Sequence, residues 1–126
     1  MHSETEMRVR RDLLEEITLL EESYSQLNIG LLAHPYDALV VVSALKTLKA
    51  SLHRASAFVL TLYTLKGKPV NISWDHLFNH LDYALAAVSG PSSPKQRDTV
   101  QAILAVSKAE FDQVLAYFAT LKKSIE

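Results

Sequence analysis

The chain has 126 residues, the size of one domain, and 48% of them are hydrophobic, too high a share for a disordered segment. A formal net charge of −1 argues against a nucleic-acid-binding polycation, and the absence of cysteine excludes disulfide bonds and thiolate metal sites. The N-terminal residues are acidic and polar, unlike a signal peptide, and the apolar run 55–65 is shorter than the roughly 20 residues of a membrane span. We therefore expect one soluble, cytoplasmic domain.

A first helix is predicted over residues 4–29. Ser3 and Glu6 have the spacing of a capping box, in which each side chain accepts a hydrogen bond from a free backbone N–H. Apolar residues then recur at alternating spacings of four and three, which is typical of a buried helical seam. Gly30 is expected to end the helix in the left-handed conformation. The seam consists of Leu13, Ile17, Leu20, Tyr24 and Leu27.

A long second helix is predicted over residues 35–66, with Pro35 in its first turn. Its second half, Ala55–Leu65, contains no charged residue, so we expect other helices or a second copy of the chain to surround it. An antiparallel hairpin with the first helix would place Lys46 and Lys49 near the glutamates of that helix. The seam of the second helix consists of Val41, Leu45, Leu48, Leu52, Ala55, Val59 and Leu62.

A short third helix is predicted over residues 74–89. Ser73 is expected to be its N-cap, and Ile72 and Leu77 have the spacing of a hydrophobic staple. A Gly-Pro sequence then ends the helix. Its apolar stripe consists of Trp74, Leu77, Phe78, Leu81, Ala84, Leu85 and Val88.

A long fourth helix is predicted over residues 94–125, with Ser93 as its N-cap. Its seam continues almost to the C-terminus and is interrupted only by one serine. The seam consists of Val100, Leu104, Ser107, Phe111, Val114, Phe118, Leu121 and Ile125.

Four amphipathic helices with short connections predict an all-α fold, an antiparallel up-down-up-down four-helix bundle that forms a single domain over residues 1–126. At about 1.5 Å per residue, helices 2 and 4 would be roughly 45 Å long and helix 3 roughly 25 Å. Helix 4 would then overhang and expose its seam, as at an interface. We therefore expect a homodimer. Alternatively, helix 4 kinks near Ser107–Lys108 or crosses obliquely, and a monomer encloses its own core. The predicted interface consists of Phe111, Val114, Phe118, Leu121 and Ile125.

Histidines offer the first alternative function. His76 and His80 lie one turn apart on helix 3, a spacing that can chelate a metal ion, and His53 on helix 2 could face them. In residue type alone, this set resembles the DinB-like metal-dependent bundles, which would imply a metal-binding bundle. The segment 76–80 lacks the glutamate of the His-Glu-x-x-His motif, so a zinc protease is excluded. Two surface histidines without a ligand are the simpler interpretation.

The segment Tyr63–Gly67 offers a second alternative. Its sequence, Tyr-Thr-Leu-Lys-Gly, resembles the His-x-x-Lys-Gly core of histidine phosphotransfer domains, which are also helical bundles of about this size. Tyr63 stands where that family has its phosphorylated histidine, Pro69 interrupts a helix that continues in the family, and Ser73 replaces a usual glycine. The resemblance therefore implies a docking module without a phosphoryl acceptor.

No catalytic motif accompanies these features. The glutamates lack the Glu-x-x-His spacing of a di-iron bundle, the serines lack a nucleophile-elbow setting, and no glycine-rich phosphate loop occurs. The basic residues Lys46, Lys49 and Arg54 are expected to pair with acids of helix 1 rather than with nucleic acid. We therefore interpret the chain as a non-enzymatic interaction or scaffold protein without a cofactor. We expect it to form a homodimer, to bind a protein partner and to contact neither nucleic acid nor a membrane.

Overall fold

The computed structural model describes residues 3–68, 73–90 and 94–125 of the chain. The regular structure of this part is entirely helical and includes no strand, so the predicted all-α class is confirmed. The described part contains five helices instead of the four predicted. In chain order they are α1 (Glu4–Leu32), α2 (Ala38–Leu65), α3 (Asp75–Val88), α4 (Pro94–Val106) and α5 (Lys108–Ile125).

The first two helices form an antiparallel hairpin. Gly30, near the end of α1, faces the start of α2. Ser51, in the second half of α2, donates hydrogen bonds to the backbone and carboxylate oxygens of Glu16, at 3.1 and 2.9 Å. The Arg54 guanidinium donates to the same carboxylate. The two predicted seams meet in this hairpin, and every seam residue is buried except Tyr24, which is partly buried.

Gly30 does not end α1, contrary to the prediction. The helix continues through it to Leu32, and Gly30 is buried where α1 and α2 approach closely. A Cβ atom at this position would lie 2.9 Å from Cγ2 of Val41 and 3.0 Å from Cγ1 of Val40. The glycine is therefore required by interhelical distance, not by a left-handed backbone conformation.

The boundaries of α2 differ from the prediction at the N-terminus. The helix begins at Ala38 because Asp37 is the N-cap, and its carboxylate accepts a hydrogen bond from the backbone N–H of Val40 at 3.1 Å. Pro35 therefore lies in the loop and not in the first turn. At the C-terminus, Gly67 has a φ of 69°, the left-handed conformation that favours glycine.

The third helix packs antiparallel to α2. The Lys49 ammonium pairs with the carboxylate of Asp82 on α3, and the His53 ring stacks on Phe78 with a centroid distance of 3.8 Å. Lys49 was expected to pair with acids of the first helix instead. Of the basic residues Lys46, Lys49 and Arg54, only Arg54 is seen to pair with an acid of α1, in the described part of the chain. Lys49 pairs with α3 because it lies on the side of α2 that α3 covers.

The N-terminus of α3 also differs from the prediction. Trp74, not Ser73, is the N-cap, and no side chain bonds the free N–H groups there. The Trp74 indole packs edge-on against Phe118, with a centroid distance of 5.2 Å, so tertiary packing fixes this turn. The predicted staple residue Ile72 and the predicted N-cap Ser93 lie outside the described residues.

The predicted fourth helix is divided at Ser107 into α4 and α5. Ser107 is fully buried, and both its backbone N–H and its hydroxyl donate to the carbonyl of Leu104, at 3.2 and 3.3 Å. A serine hydroxyl that bonds a nearby carbonyl competes with the regular helical pattern. The division matches the alternative in which the helix kinks near this residue.

The helix α5 packs antiparallel to α1. Arg10 donates to the backbone carbonyl of Ile125 at 3.4 Å, and the rings of Tyr24 and Phe111 are 5.6 Å apart. The apolar stripe of α5 is thereby enclosed by the same chain. Its buried residues are Phe111, Val114, Phe118, Leu121 and Ile125.

The rest of the described chain does not surround the uncharged segment Ala55–Leu65, so its enclosure by a second copy stays a prediction. Its seam residues are buried, but Leu60 and Leu65 are 55% and 47% exposed. The reason is the short length of α3, which has 14 residues against 28 in α2. Because Phe78 pairs with His53, the first residue of α3, Asp75, reaches only about one turn further along α2.

Within the described ranges, none of the helices is both long and apolar enough to cross a membrane.

Candidate functional site

The three histidines of the metal alternative do not form a three-ligand site. The His53 ring stacks on Phe78, whereas the rings of His76 and His80 are 6.2 Å apart on α3. Nδ1 of His80 lies 2.7 Å from the carbonyl oxygen of His76, so it donates its proton there. Nowhere in residues 3–68, 73–90 and 94–125 do three or more His, Cys, Asp or Glu side chains come close enough to hold a metal ion.

The segment that resembles a phosphotransfer core lies at the end of α2. Tyr63 is partly buried and lies beside Tyr117 of α5, while Lys66 is exposed in the turn. Burial raises the pKa of Tyr117, and the neighbouring Tyr63 hydroxyl raises it further. The tyrosine that stands at the family's phosphorylated position therefore faces the protein's own fifth helix.

The five residues predicted to form a homodimer interface lie in the core of the single chain. Phe118 is fully buried, and the least buried of the five, Leu121 and Ile125, are 7% exposed. The prediction depended on an overhang of the fourth helix. No such overhang exposes this stripe, because α5 packs along α1 and its apolar residues face the rest of the chain.

Other large apolar side chains are exposed where α1 ends, where α2 begins and where α4 ends. We call this group the apolar end. Its four large aliphatic side chains each have more than half of their surface exposed, and that of Leu39 reaches 83%. Their exposure was not predicted from the sequence because the prediction followed only the periodic seams. Large aliphatic residues outside those seams were the signal that could have indicated an exposed apolar surface. The apolar end consists of Ile29, Leu32, Leu39 and Val106.

A groove of about 270 Å³ opens beside the apolar end, between the last turns of α1 and the junction of α4 with α5. Leu32 and Ala105 line it from opposite sides, which places Val106 at its edge. Lys108 is the charged residue of this lining, and its ammonium pairs with Asp112 at 2.9 Å. The groove is therefore suited to an aliphatic side chain. Its other lining residues are Tyr24, Leu27, Asn28, Leu31, Gln101, Leu104 and Phe111.

No known protein family, curated protein or solved structure matches this chain.

Proposed function

We propose that this chain is a non-enzymatic helical interaction protein that acts as a homodimer through its apolar end. The observation that supports the proposal is the exposure of four large aliphatic side chains near the helix ends: Ile29 and Leu32 in the last turns of α1, Leu39 in the first turn of α2 and Val106 at the end of α4. Single exposed leucines are common on protein surfaces, but a group of large aliphatic side chains at one place usually marks an interaction site. Removing such a group from water is favourable.

We infer that α4 and α5 together form the fourth helix of an up-down four-helix bundle. The hairpin of α1 and α2, the antiparallel contact of α3 with α2 and that of α5 with α1 support this arrangement. The apolar end then lies near the loop that joins α1 to α2. This position differs from the lengthwise interface that the sequence predicted.

A second copy of the chain is the partner that the surface favours. Each copy exposes the side chain of Leu39 in the first turn of α2 and has a groove lined by Leu32 and Leu104 with room for an aliphatic group. A symmetric dimer uses the same patch on both copies, so both features are satisfied at once. The net charge of −1 adds little repulsion between copies. The cytoplasmic location expected from the sequence stays part of the proposal.

The test is the molar mass in solution, measured by size-exclusion chromatography with light scattering over a range of concentrations. We expect the wild-type chain to be a dimer and the double variant Leu32→Glu/Leu39→Glu to be a folded monomer, because two buried carboxylates would oppose association. A wild-type chain that is a monomer at about 1 mM would refute the homodimer, because its dissociation constant would then exceed that concentration.

The matched control is Leu60→Glu, which adds a charge at another exposed leucine far along α2. We expect this variant to dimerise like the wild type. If it dissociates as the double variant does, the apolar end is not the interface. Circular dichroism of all variants confirms that the monomers are folded.

A further inference from the structure

A second, chemically different cavity lies on the side of the molecule, between the first turn of α3 and α5. It is an open cleft of about 620 Å³. The side chains of Leu77 and Val114 are buried beneath it and form an apolar floor. Its remaining lining residues are Ser73, Trp74, Asp75, His76, Glu110, Gln113 and Tyr117.

The charge of this cleft has one sign. Asp75 enters it from α3 and Glu110 from α5, so the two carboxylates belong to different walls. None of its described lining residues is a lysine or an arginine. The ion pairs found among the described residues involve carboxylates elsewhere, such as Asp82 with Lys49 and Glu16 with Arg54. The two carboxylates of the cleft are therefore available to bind a cationic ligand.

Two aromatic rings line the same cleft. The centroids of Trp74 and Tyr117 are 6.1 Å apart, and their planes are inclined by 68°. Both side chains are partly buried, so each keeps an accessible ring surface. Aromatic faces attract ammonium groups and pack against hydrocarbon chains. Carboxylates on two walls with apolar and aromatic surface between them match a ligand with two positive ends and a hydrocarbon spacer.

We propose that this cleft binds an extended organic di- or polyamine. One ammonium group is paired with Asp75 and another with Glu110, while the methylene chain lies against Trp74 and over the floor formed by Leu77 and Val114. This site is independent of the apolar end, because it involves α3 and α5 and none of the four residues that define that surface.

The experiment uses the intrinsic fluorescence of Trp74, which is the single tryptophan of the chain and lines the cleft. We expect titration with spermidine to change its emission and to saturate. Glu110→Gln and Asp75→Asn should each weaken binding about three- to tenfold, since each removes one charge pair at a partly exposed site. The matched control, Glu22→Gln, removes an exposed carboxylate on α1 and should leave the dissociation constant unchanged.

Three results would overturn the proposal. The first is an unchanged Trp74 emission up to about 10 mM spermidine, which would mean binding too weak to matter. The second is equal weakening by Glu22→Gln, which would mean that spermidine only screens the overall negative charge. The third is equal affinity for n-hexylamine, which carries one ammonium group and would not require both carboxylates. Thermal melts of the variants ensure that a lost signal does not reflect unfolding.

Discussion

Gly30 shows how a residue without a side chain sets the distance between two helices. Its missing Cβ allows α1 to lie against Val40 and Val41, two β-branched residues at the start of α2. β-branched side chains have few rotamers available in a helix, so they cannot turn away from an added atom. In the middle of a helix, glycine costs about 0.5–1 kcal/mol relative to alanine. The close contact of the hairpin offsets that cost.

We therefore predict that Gly30→Val destabilises the protein. The added side chain would overlap Val41 and push the hairpin apart, and overpacking of this kind costs about 1–3 kcal/mol. Urea unfolding followed by circular dichroism measures the free energy of unfolding. The control is Ser25→Val on the exposed side of the same helix, where we expect a change within about 0.5 kcal/mol. Equal effects of the two substitutions would show that Gly30 has no packing role.

The ends of the helices depend on both local and tertiary contacts. At the start of α2 a carboxylate, that of Asp37, bonds a free backbone N–H. At the start of α3, Trp74 is the N-cap residue, but its side chain makes no capping hydrogen bond. The indole packs against Phe118 instead. Ser73 is one residue too early to be the cap. A serine before an apolar stripe is therefore an incomplete predictor of where a helix begins.

This difference leads to a prediction about two capping substitutions. Asp37→Ala should lower the free energy of unfolding by about 0.5–2 kcal/mol, because it leaves the N–H of Val40 without its partner. Ser73→Ala should change it by less than about 0.5 kcal/mol, because Ser73 is exposed and is not the N-cap. Chemical denaturation of both variants beside the wild type distinguishes them. A loss of similar size in Ser73→Ala would restore serine as the cap of α3.

The division of the last helical segment has the largest consequence among the elements. A buried serine replaces an apolar residue in an otherwise continuous seam, and its hydroxyl bonds the carbonyl of Leu104. The two parts, α4 and α5, follow one another along α1, since Leu31 and Leu104 line one groove and Tyr24 contacts Phe111. The stripe of α5 packs on α1, and its Phe118 also contacts Trp74, just before α3. This packing leaves no exposed stripe on α5 for a lengthwise dimer.

For the whole molecule, the burial of tyrosines makes the free energy of unfolding depend on pH. Burial raises the pKa of Tyr36 and of Tyr117, and in Tyr117 the neighbouring Tyr63 adds to the effect. A phenol with a raised pKa in the folded state keeps its proton at a pH where the unfolded chain has lost it. Its contribution to stability is therefore fully present below about pH 10, the pKa in the unfolded chain, and is lost as pH rises through the folded pKa.

We predict that the free energy of unfolding falls as the pH rises above about 10, and that Tyr117→Phe makes this fall less steep. The phenylalanine variant has one phenol fewer to ionise, while the aromatic ring stays beside Trp74. Urea unfolding at a series of pH values gives the slope. Tyr83→Phe, which removes an exposed tyrosine of α3, should keep the wild-type slope. An unchanged slope in Tyr117→Phe would mean that this phenol does not contribute.

The core of the fold was predictable because burial follows helical periodicity. The seam of the second helix, from Val41 to Leu62, is buried throughout, and the antiparallel hairpin with the first helix follows from the short loop between them. Helix boundaries were less accurate. Gly30 is compatible both with a helix end and with a close helix contact, and only the position of α2 distinguishes these roles.

The apolar end and the cleft could not be predicted from the sequence, for a related reason. Periodicity identifies the residues that face inward, but the apolar end and the cleft are formed by residues from separate helices whose proximity depends on tertiary packing. Asp75 and Glu110 are 35 positions apart and share a cleft only because α5 packs beside the first turn of α3. The amino-acid sequence determined that the protein is all-helical and which stripes are buried, because the hydrophobic effect acts on each amphipathic helix locally. The tertiary structure decided where the last helix breaks and which surfaces remain available, because those depend on the competition among all helices for the same core.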